Sequence, residues 1–465
     1  MKDQTYTEFK EEFYSKFEDL ALLDCQDFNV LKIVLDGLKV DYLKRGKYKT
    51  YLFYPSFIHR LYLFLKRIKS IKKSRFKELK KYANRKYLIV DPARYKKSND
   101  NSVVSTYFHH FYQQLSDFTS VSEHYNKHQL FDFSLQELHQ ELMFEPLSKD
   151  EIRLRKELKS CYTRITQLNK FSNDDLENIR IAFDQFFKSY RSNDRIIKVL
   201  KPELAYLVCH YHKEGLMLAL KRNGVKSIEL QHGLIAPEDI FYIFPDRVKC
   251  IKEKALFADE IWVYGDFWKQ RLLKGAEYAE NQIKVVGYYQ YENRSVPDII
   301  ANQLTLLKND KKVLLFTSQV TLAKEVSEYL LFLANDIKKK QLDYVIWLKM
   351  HPSENKNMYA TLDGVDNIVI VEENPEYLFA YANLVVSVFS TTLYDAFRYN
   401  LPCFSLYIKE FADYVNSVVE SGVAELIYND QNPIEFLSNS SKANVSEYYQ
   451  ECDKNDLKKI CTYNK

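Results

Sequence analysis

Hydrophobic positions change their period once along this chain. Up to about residue 200 they recur mostly at three- and four-residue intervals. Phe9, Phe13, Phe17, Leu20 and Leu23 mark one face of a helix, and residues 150–190 repeat that spacing among charged positions. Tyr87-Leu88-Ile89-Val90-Asp91 breaks the pattern as a short apolar run stopped by Pro92, which predicts a buried strand. From about 200 onward, apolar runs of strand length alternate with helical stretches. Leu204 to Cys209 precedes a helix through Leu216 to Leu220, which Asn223-Gly224 ends. Val225 to Leu230 then runs straight into Gln231-His232-Gly233. Glu260 to Gly265, a helix over Phe267 to Leu273, and Ile283 to Gly287 complete the series. Strand-helix-strand alternation of this kind implies a parallel sheet.

A second series follows the same rhythm. Lys312 to Phe316 precedes a helix near Lys324 to Lys339. Tyr344 to Leu348, Ile368 to Val371, Leu384 to Ser387 and Pro402 to Leu406 are the later strands. Between the two series, residues 288–310 carry few strand signals and include Pro297. The expected organisation is a mostly helical, basic region over 1–200 that contributes in part to the first Rossmann-like domain. A βαβ core over 201–290, a linker over 291–310, a second α/β domain over 311–430 and a polar, partly helical tail over 431–465 follow it.

Composition narrows the function classes. A chain of 465 residues is long enough for two cores. Its net charge of +4 lacks the global basic field of nucleic-acid binders. The charge is uneven, however: Lys66 to Lys86 holds eleven Lys/Arg against one acid, Glu78. The aromatic run Tyr51 to Leu65 adjoins it, and basic-plus-aromatic helices dock on anionic lipid; a solvated helical face is the plainer reading. Seven cysteines without paired or metal-like spacing read as reduced thiols. The polar start Met1 to Thr5 resembles no signal peptide, and no window has the length of a membrane span, so a cytoplasmic location is expected.

The polar clusters fall where predicted strands end: Gln231-His232-Gly233, Ser318-Gln319, Lys349-Met350-His351-Pro352 and Ser390-Thr391-Thr392. In open parallel sheets ligands bind at carboxyl ends, at the topological switch point. Ser390 to Thr392 precedes a helical run; its hydroxyls and free backbone N–H groups suit a phosphate, or simply cap a helix. Asp395, further along that helix, is placed for a ribose hydroxyl or is an ordinary solvated acid. His351 sits on a turn stiffened by Pro352, with Lys349 on the same strand face two residues earlier. His232, followed by a glycine that permits close approach, is a candidate general base, and Glu238 and Asp239 are its rivals. His210 and His212 alternate like a metal pair, but no cysteine or acid at ligand spacing supports one. There is no GxxxxGK[ST] loop and no GxGxxG after a strand, so P-loop and dinucleotide readings fall away.

Taken with Ala258 to Gly265, Val285-Val286-Gly287, Ser387 to Thr392 and Leu401-Pro402, these motifs resemble the GT-B enzymes of bacterial surface-polysaccharide assembly. The relatives are CDP-glycerol glycerophosphotransferases and capsule sialyl-, polysialyl- and Kdo-type transferases. The resemblance spans about 200–410. It implies an α/β fold of two Rossmann-like domains facing across a cleft, behind a mostly helical N-terminal extension. It further implies inverting, metal-independent transfer of a sugar or sugar-like phosphate unit from a nucleotide-activated donor to a glycan or lipid-linked glycan acceptor. No cofactor is implied beyond that co-substrate, with CMP or CDP types preferred. By the same resemblance His351 and Ser390, Thr391 and Thr392 hold the donor phosphates and His232 is the base; on the residue reading, Ser318, Gln319, Lys349 and Asp395 complete the candidate donor site, and Glu238 and Asp239 are rival bases. The acidic-acidic-glycine motif of sialyltransferases has no strand-end counterpart here. The expected partners are the donor, the acceptor and an anionic membrane surface through Lys66 to Lys86, without nucleic acid. A nucleotide-sugar epimerase of the same architecture and a membrane-docked assembly module without catalysis are the rival readings.

Overall fold

The computed structural model describes residues 15, 23–38, 75–97, 102–124, 130–143, 145–235, 241–243, 256–275, 278–288, 296–439 and 444–452. The helix face at Phe9 to Leu20, the aromatic run from Tyr51, the basic positions 66–74, Glu238 and Asp239 lie outside them. The described chain forms two compact units. One carries the described residues up to His232, those from 241 to 288 and 451–452; the other carries 233–235 and those from 296 to 450.

The first unit is built on seven parallel strands: β1 (Tyr87–Asp91), β2 (Phe118–Ser122), β3 (Phe133–Ser134), β4 (Leu204–Val208), β5 (Lys226–Leu230), β6 (Glu260–Val263) and β7 (Ile283–Val285). Their spatial order is β7-β6-β5-β4-β1-β2-β3. β1 and β4 are buried at every position, as strands covered on both faces must be, and this explains why they read as continuous apolar runs. The strand expected at Tyr87 is therefore central to the sheet. β2 and β3 went unread because Phe118-Thr119-Ser120-Val121-Ser122 and Phe133-Ser134 are too polar or too short to stand out.

Helices cover this sheet. Among them are α1 (Leu31–Leu38), α2 (Lys149–Gln167), α3 (Asn173–Leu200), α4 (Glu214–Arg222) and α5 (Asp266–Lys274). Ser148 with Glu151, and Ser172 with Asp175, form reciprocal capping boxes at the starts of α2 and α3. α3 ends at Lys201, in the left-handed region at φ 51°, with Pro202 next. α3 and α4 pack so closely that a Cβ on Gly215 would stand 2.5 Å from the Tyr190 amide nitrogen. Phe111, Tyr206 and Trp262 fill the core, with Tyr206 5.2 Å from Phe111 and 5.6 Å from Trp262 between ring centroids.

The second unit holds six parallel strands: β8 (Lys312–Thr317), β9 (Tyr344–Lys349), β10 (Ile368–Val371), β11 (Leu384–Ser387), β12 (Cys403–Leu406) and β13 (Glu425–Ile427). Their order is β10-β9-β8-β11-β12-β13, the 3-2-1-4-5-6 winding of a Rossmann sheet. The first sheet repeats it, from β3-β2-β1 through β4-β5-β6 to an added β7. Trp347, Phe316 and Leu330 are fully buried around it. Helix α6 (Asp298–Lys308) occupies part of the stretch expected to be a linker, and β13 lies where no strand was expected. Both sequences are too short, and too mixed in polarity, to announce themselves without the neighbours they pack on. No helix among the described residues is long and apolar enough to cross a membrane.

Candidate active site

Each sheet has one switch point, where the winding reverses between adjacent central strands. In the second unit it lies between β8 and β11, paired in parallel from Leu314↔Leu384 to Phe316↔Val386. Beyond it, Ser390 caps α7 (Thr391–Arg398) by accepting from the Thr392 amide at 3.2 Å. The Thr392 hydroxyl also donates to Ser390 Oγ, at 2.8 Å, and stands 2.6 Å from Thr317 Oγ1 at the end of β8. Ser390 Oγ therefore accepts twice, and its own proton is left to donate. Thr391 is exposed and its side chain makes no hydrogen bond among the described residues. The N-terminus of α7 thus offers hydroxyl donors and backbone N–H groups together, at the positive end of the helix dipole.

His351 lies after β9, on the neighbouring strand. Its Nδ1 accepts from the Ser353 amide at 3.1 Å, so the proton of the neutral ring sits on Nε2. Glu354 holds this turn. Its Oε2 accepts from the His351 amide at 2.8 Å and from the Ser318 hydroxyl, while Oε1 accepts from Tyr359 Oη at 3.1 Å. The His351 amide also reaches Ser318 Oγ at 2.9 Å.

The predicted donor residues therefore divide. Ser390, Thr391, Thr392 and His351 keep hydrogen-bonding capacity or sit at the helix start. Ser318, Gln319 and Lys349 fasten loops. Gln319 Oε1 accepts from the Phe389 amide at 3.0 Å, and Lys349 Nζ donates to the Glu372 carbonyl at 2.7 Å. Burial lowers the Lys349 ammonium pKa, opposed by Glu372 and Glu373. Asp395, one turn into α7, makes no hydrogen bond among the described residues. Burial raises its carboxyl to about 6 against the pull of Arg398.

In the first unit the switch point lies between β1 and β4, and the β5 loop with His232 stands next to it. Gln231 anchors that loop: its Oε1 accepts from the Tyr264 amide at 2.9 Å, and its carbonyl accepts from Tyr264 Oη at 2.5 Å. His232 Nδ1 is 3.3 Å from Cys209 Sγ, and Nε2 is 3.2 Å from Tyr211 Oη. Burial pushes the imidazole down to about 4, with the charge of Glu229 opposing, so the ring is neutral near pH 7. Cys209 is no thiolate, because burial pushes its thiol up to about 12.

Beneath His232 is a fully buried trio. His210 Nδ1 contacts Glu229 Oε2, its Nε2 faces the Phe241 carbonyl at 3.2 Å, and Tyr242 Oη donates to Glu229 Oε1. Burial alone would raise the Glu229 carboxyl, but His210 and Tyr242 hold it down at about 2. His210, weighed earlier as half of a metal pair, is committed to this acid instead. Among the described residues no group of three or more His, Cys, Asp or Glu is arranged to hold a metal ion.

Sequence reading missed Thr317, Tyr211, Glu229 and Glu354. Glu229 did leave a signal, as an acid inside an otherwise apolar strand, and such acids are buried only with partners. Glu354 left a weaker one, a carboxylate three residues after the turn residue whose amide it accepts from.

No family model and no curated protein matches the chain. Solved structures do. UDP-GlcNAc 2-epimerase from Neisseria meningitidis, bound to UDP-GlcNAc, shares 14% identity over 81% of this chain and 98% of its own, with a TM-score of 0.50. The S. aureus MnaA–UDP structure matches at 14% identity, 82% and 95% coverage and a TM-score of 0.48. The glycosyltransferase SnogD from Streptomyces nogalater matches at 10% identity, 81% and 98% coverage and 0.49. At these identities the likeness speaks to fold, and with the two parallel Rossmann-like sheets it gives a GT-B-like α/β architecture.

Proposed function

We propose that this chain is a GT-B nucleotide-sugar-dependent glycosyltransferase, or a glycerophosphotransferase-like relative, that extends a cell-surface polysaccharide by inverting transfer without a metal. The observation that carries it is the Ser390–Thr392 helix start at the switch point of a 3-2-1-4-5-6 sheet, with Nε2–H of His351 on the adjoining strand end. That arrangement suits the phosphates of a bound nucleotide. For glycosyl transfer the acceptor oxygen attacks the anomeric carbon and the C–O bond to the donor phosphate breaks; for glycerophosphate transfer it attacks the distal phosphorus and the P–O bond to the nucleoside monophosphate breaks. His232, neutral and flanked by Tyr211, takes the acceptor proton; Glu238 and Asp239 remain its rivals. The α7 dipole, Ser390 and His351 stabilise charge on the departing phosphate.

Thermal-shift titration against CMP, CDP, UDP, GDP and their sugar adducts tests the donor half, because a ligand of the folded state raises its melting temperature. One nucleotide series should stabilise the protein, and His351→Ala should weaken it by on the order of tenfold, as loss of a charge-assisted hydrogen bond does. Unchanged affinity in that variant would overturn the assignment.

A nucleotide-sugar epimerase is the second reading, since a fold neighbour is such an enzyme with UDP-GlcNAc bound. Incubation with donor alone separates the two. Inverted donor without acceptor supports epimerisation; transfer only when a glycan is present supports the transferase.

A further inference from the structure

We propose that Arg94 anchors an anionic group, a phosphate ester or a carboxylate, on the acceptor. This rests on reading the first unit as the acceptor side. Arg94 lies three residues past the end of β1, on one flank of that unit's switch point; the segment Cys209 to Lys213 leaves β4 on the other flank.

The backbone there is strained on both flanks. Ala93, Cys209 and His212 adopt φ of 57°, 58° and 62°, a region that side-chain-bearing residues rarely enter. Buried contacts hold the β1 flank in place. Asp91 Oδ1 accepts from the Ala93 amide at 2.7 Å, Asp91 Oδ2 accepts from Ser105 and from Tyr112 at 3.1 Å, and the Thr106 amide donates to the Arg94 carbonyl at 2.8 Å.

The side chain that this turn presents is exposed and has no ion pair among the described residues. Its one hydrogen bond is donation to Tyr107 Oη at 3.1 Å, which fixes the guanidinium on a buried phenol. The carboxylates nearby are occupied: Asp91 as above, and Glu123 by Lys213 at 3.0 Å. A planar guanidinium offers five N–H donors, and those not turned to Tyr107 match a carboxylate or phosphate edge. The positive charge of Arg94 lowers the His232 imidazole pKa, so an anion bound at Arg94 lies within electrostatic reach of the candidate base. Neutralising Arg94 would also make His232 more basic, coupling acceptor binding to proton removal.

The test is thermal-shift titration of the full chain with glycerol 3-phosphate and with glucuronate, each against glucose and against sodium chloride at matched ionic strength. Stabilisation by one or both anions, weakened about tenfold or more in Arg94→Gln and less in Arg94→Lys, is expected. Which anion acts tells a phosphate-bearing acceptor from a carboxylate-bearing one. No anion-specific stabilisation, or equal stabilisation in Arg94→Gln, overturns the proposal. Nucleotide titration of the same variants separates the two readings. Arg94→Gln should keep the nucleotide response that His351→Ala weakens, whereas absence of any nucleotide response in the parent protein defeats the donor reading and leaves Arg94 to be judged by the anions.

Discussion

The hydroxyl oxygens of Thr317 and Thr392 stand 2.6 Å apart, although 75 positions separate them in the chain. Thr317 ends the first strand of the second sheet, and Thr392 lies in the first turn of the helix after its fourth. Because Thr392 donates to Ser390, Thr317 must donate to Thr392, and the relay points a proton outward from Ser390. The switch point thereby orders its own donors before any ligand arrives.

Ser390 carries a cap and a ligand contact at once, and two substitutions separate them. Ser390→Ala should cost about 1 kcal/mol of stability in urea unfolding, as cap loss does, and should weaken nucleotide binding. Ser390→Asp should keep the cap and its stability, yet abolish nucleotide binding by repelling phosphate. If Ser390→Asp bound nucleotide as well as the parent protein in calorimetry, the phosphate would have to lie elsewhere.

Glu354 accepts from the His351 amide, Ser318 and Tyr359. In Glu354→Gln one oxygen becomes an NH2 that faces donors, which should cost roughly 1–3 kcal/mol and loosen the His351 turn. Nucleotide affinity should fall together with the melting temperature. A variant that melts lower but binds nucleotide normally would show that the turn does not position His351.

His232 sets a pH signature. Its folded pKa, about 4, lies below the unfolded value near 6.5, so the unfolded chain binds more protons between them. Its contribution to stability is fully present above about 6.5 and is lost as pH falls towards 4. Asp91 acts in the opposite sense: burial raises its carboxyl to about 6, so its contribution falls as pH climbs from about 3.8 to 6. Chemical denaturation of His232→Gln across this range should lack the first component and keep the second. In the parent protein the acid limb of the kcat/KM profile, which reports the unliganded state, should sit near pH 4; a limb near 6.5 in that profile would mean that another group is the base.

The basic segment predicts a separate behaviour. Exchanging Lys69, Lys72, Lys73 and Lys77 for glutamate should release the protein from phosphatidylserine-containing vesicles in a co-sedimentation assay. Binding unchanged by this charge reversal would dispose of membrane docking.

The alternation of buried runs and helical stretches after residue 200 was legible in the sequence because strands covered on both faces are dominated by apolar residues, as Leu204–Val208 and Leu384–Val386 are. Strand ends were legible for the same reason: polarity returns abruptly at His232, His351 and Ser390. Pairing was not. Nothing local says that Tyr87–Asp91 lies beside Leu204–Val208, or that Thr317 meets Thr392, since strand order is decided by packing between segments far apart in the chain. Charge state was equally hidden. His232 and Glu229 are ordinary titratable residues in sequence, and only their burial beside Cys209, Tyr211, His210 and Tyr242 moves them from their usual values. Period and polarity are local properties of the chain; partners and desolvation exist only once it has folded.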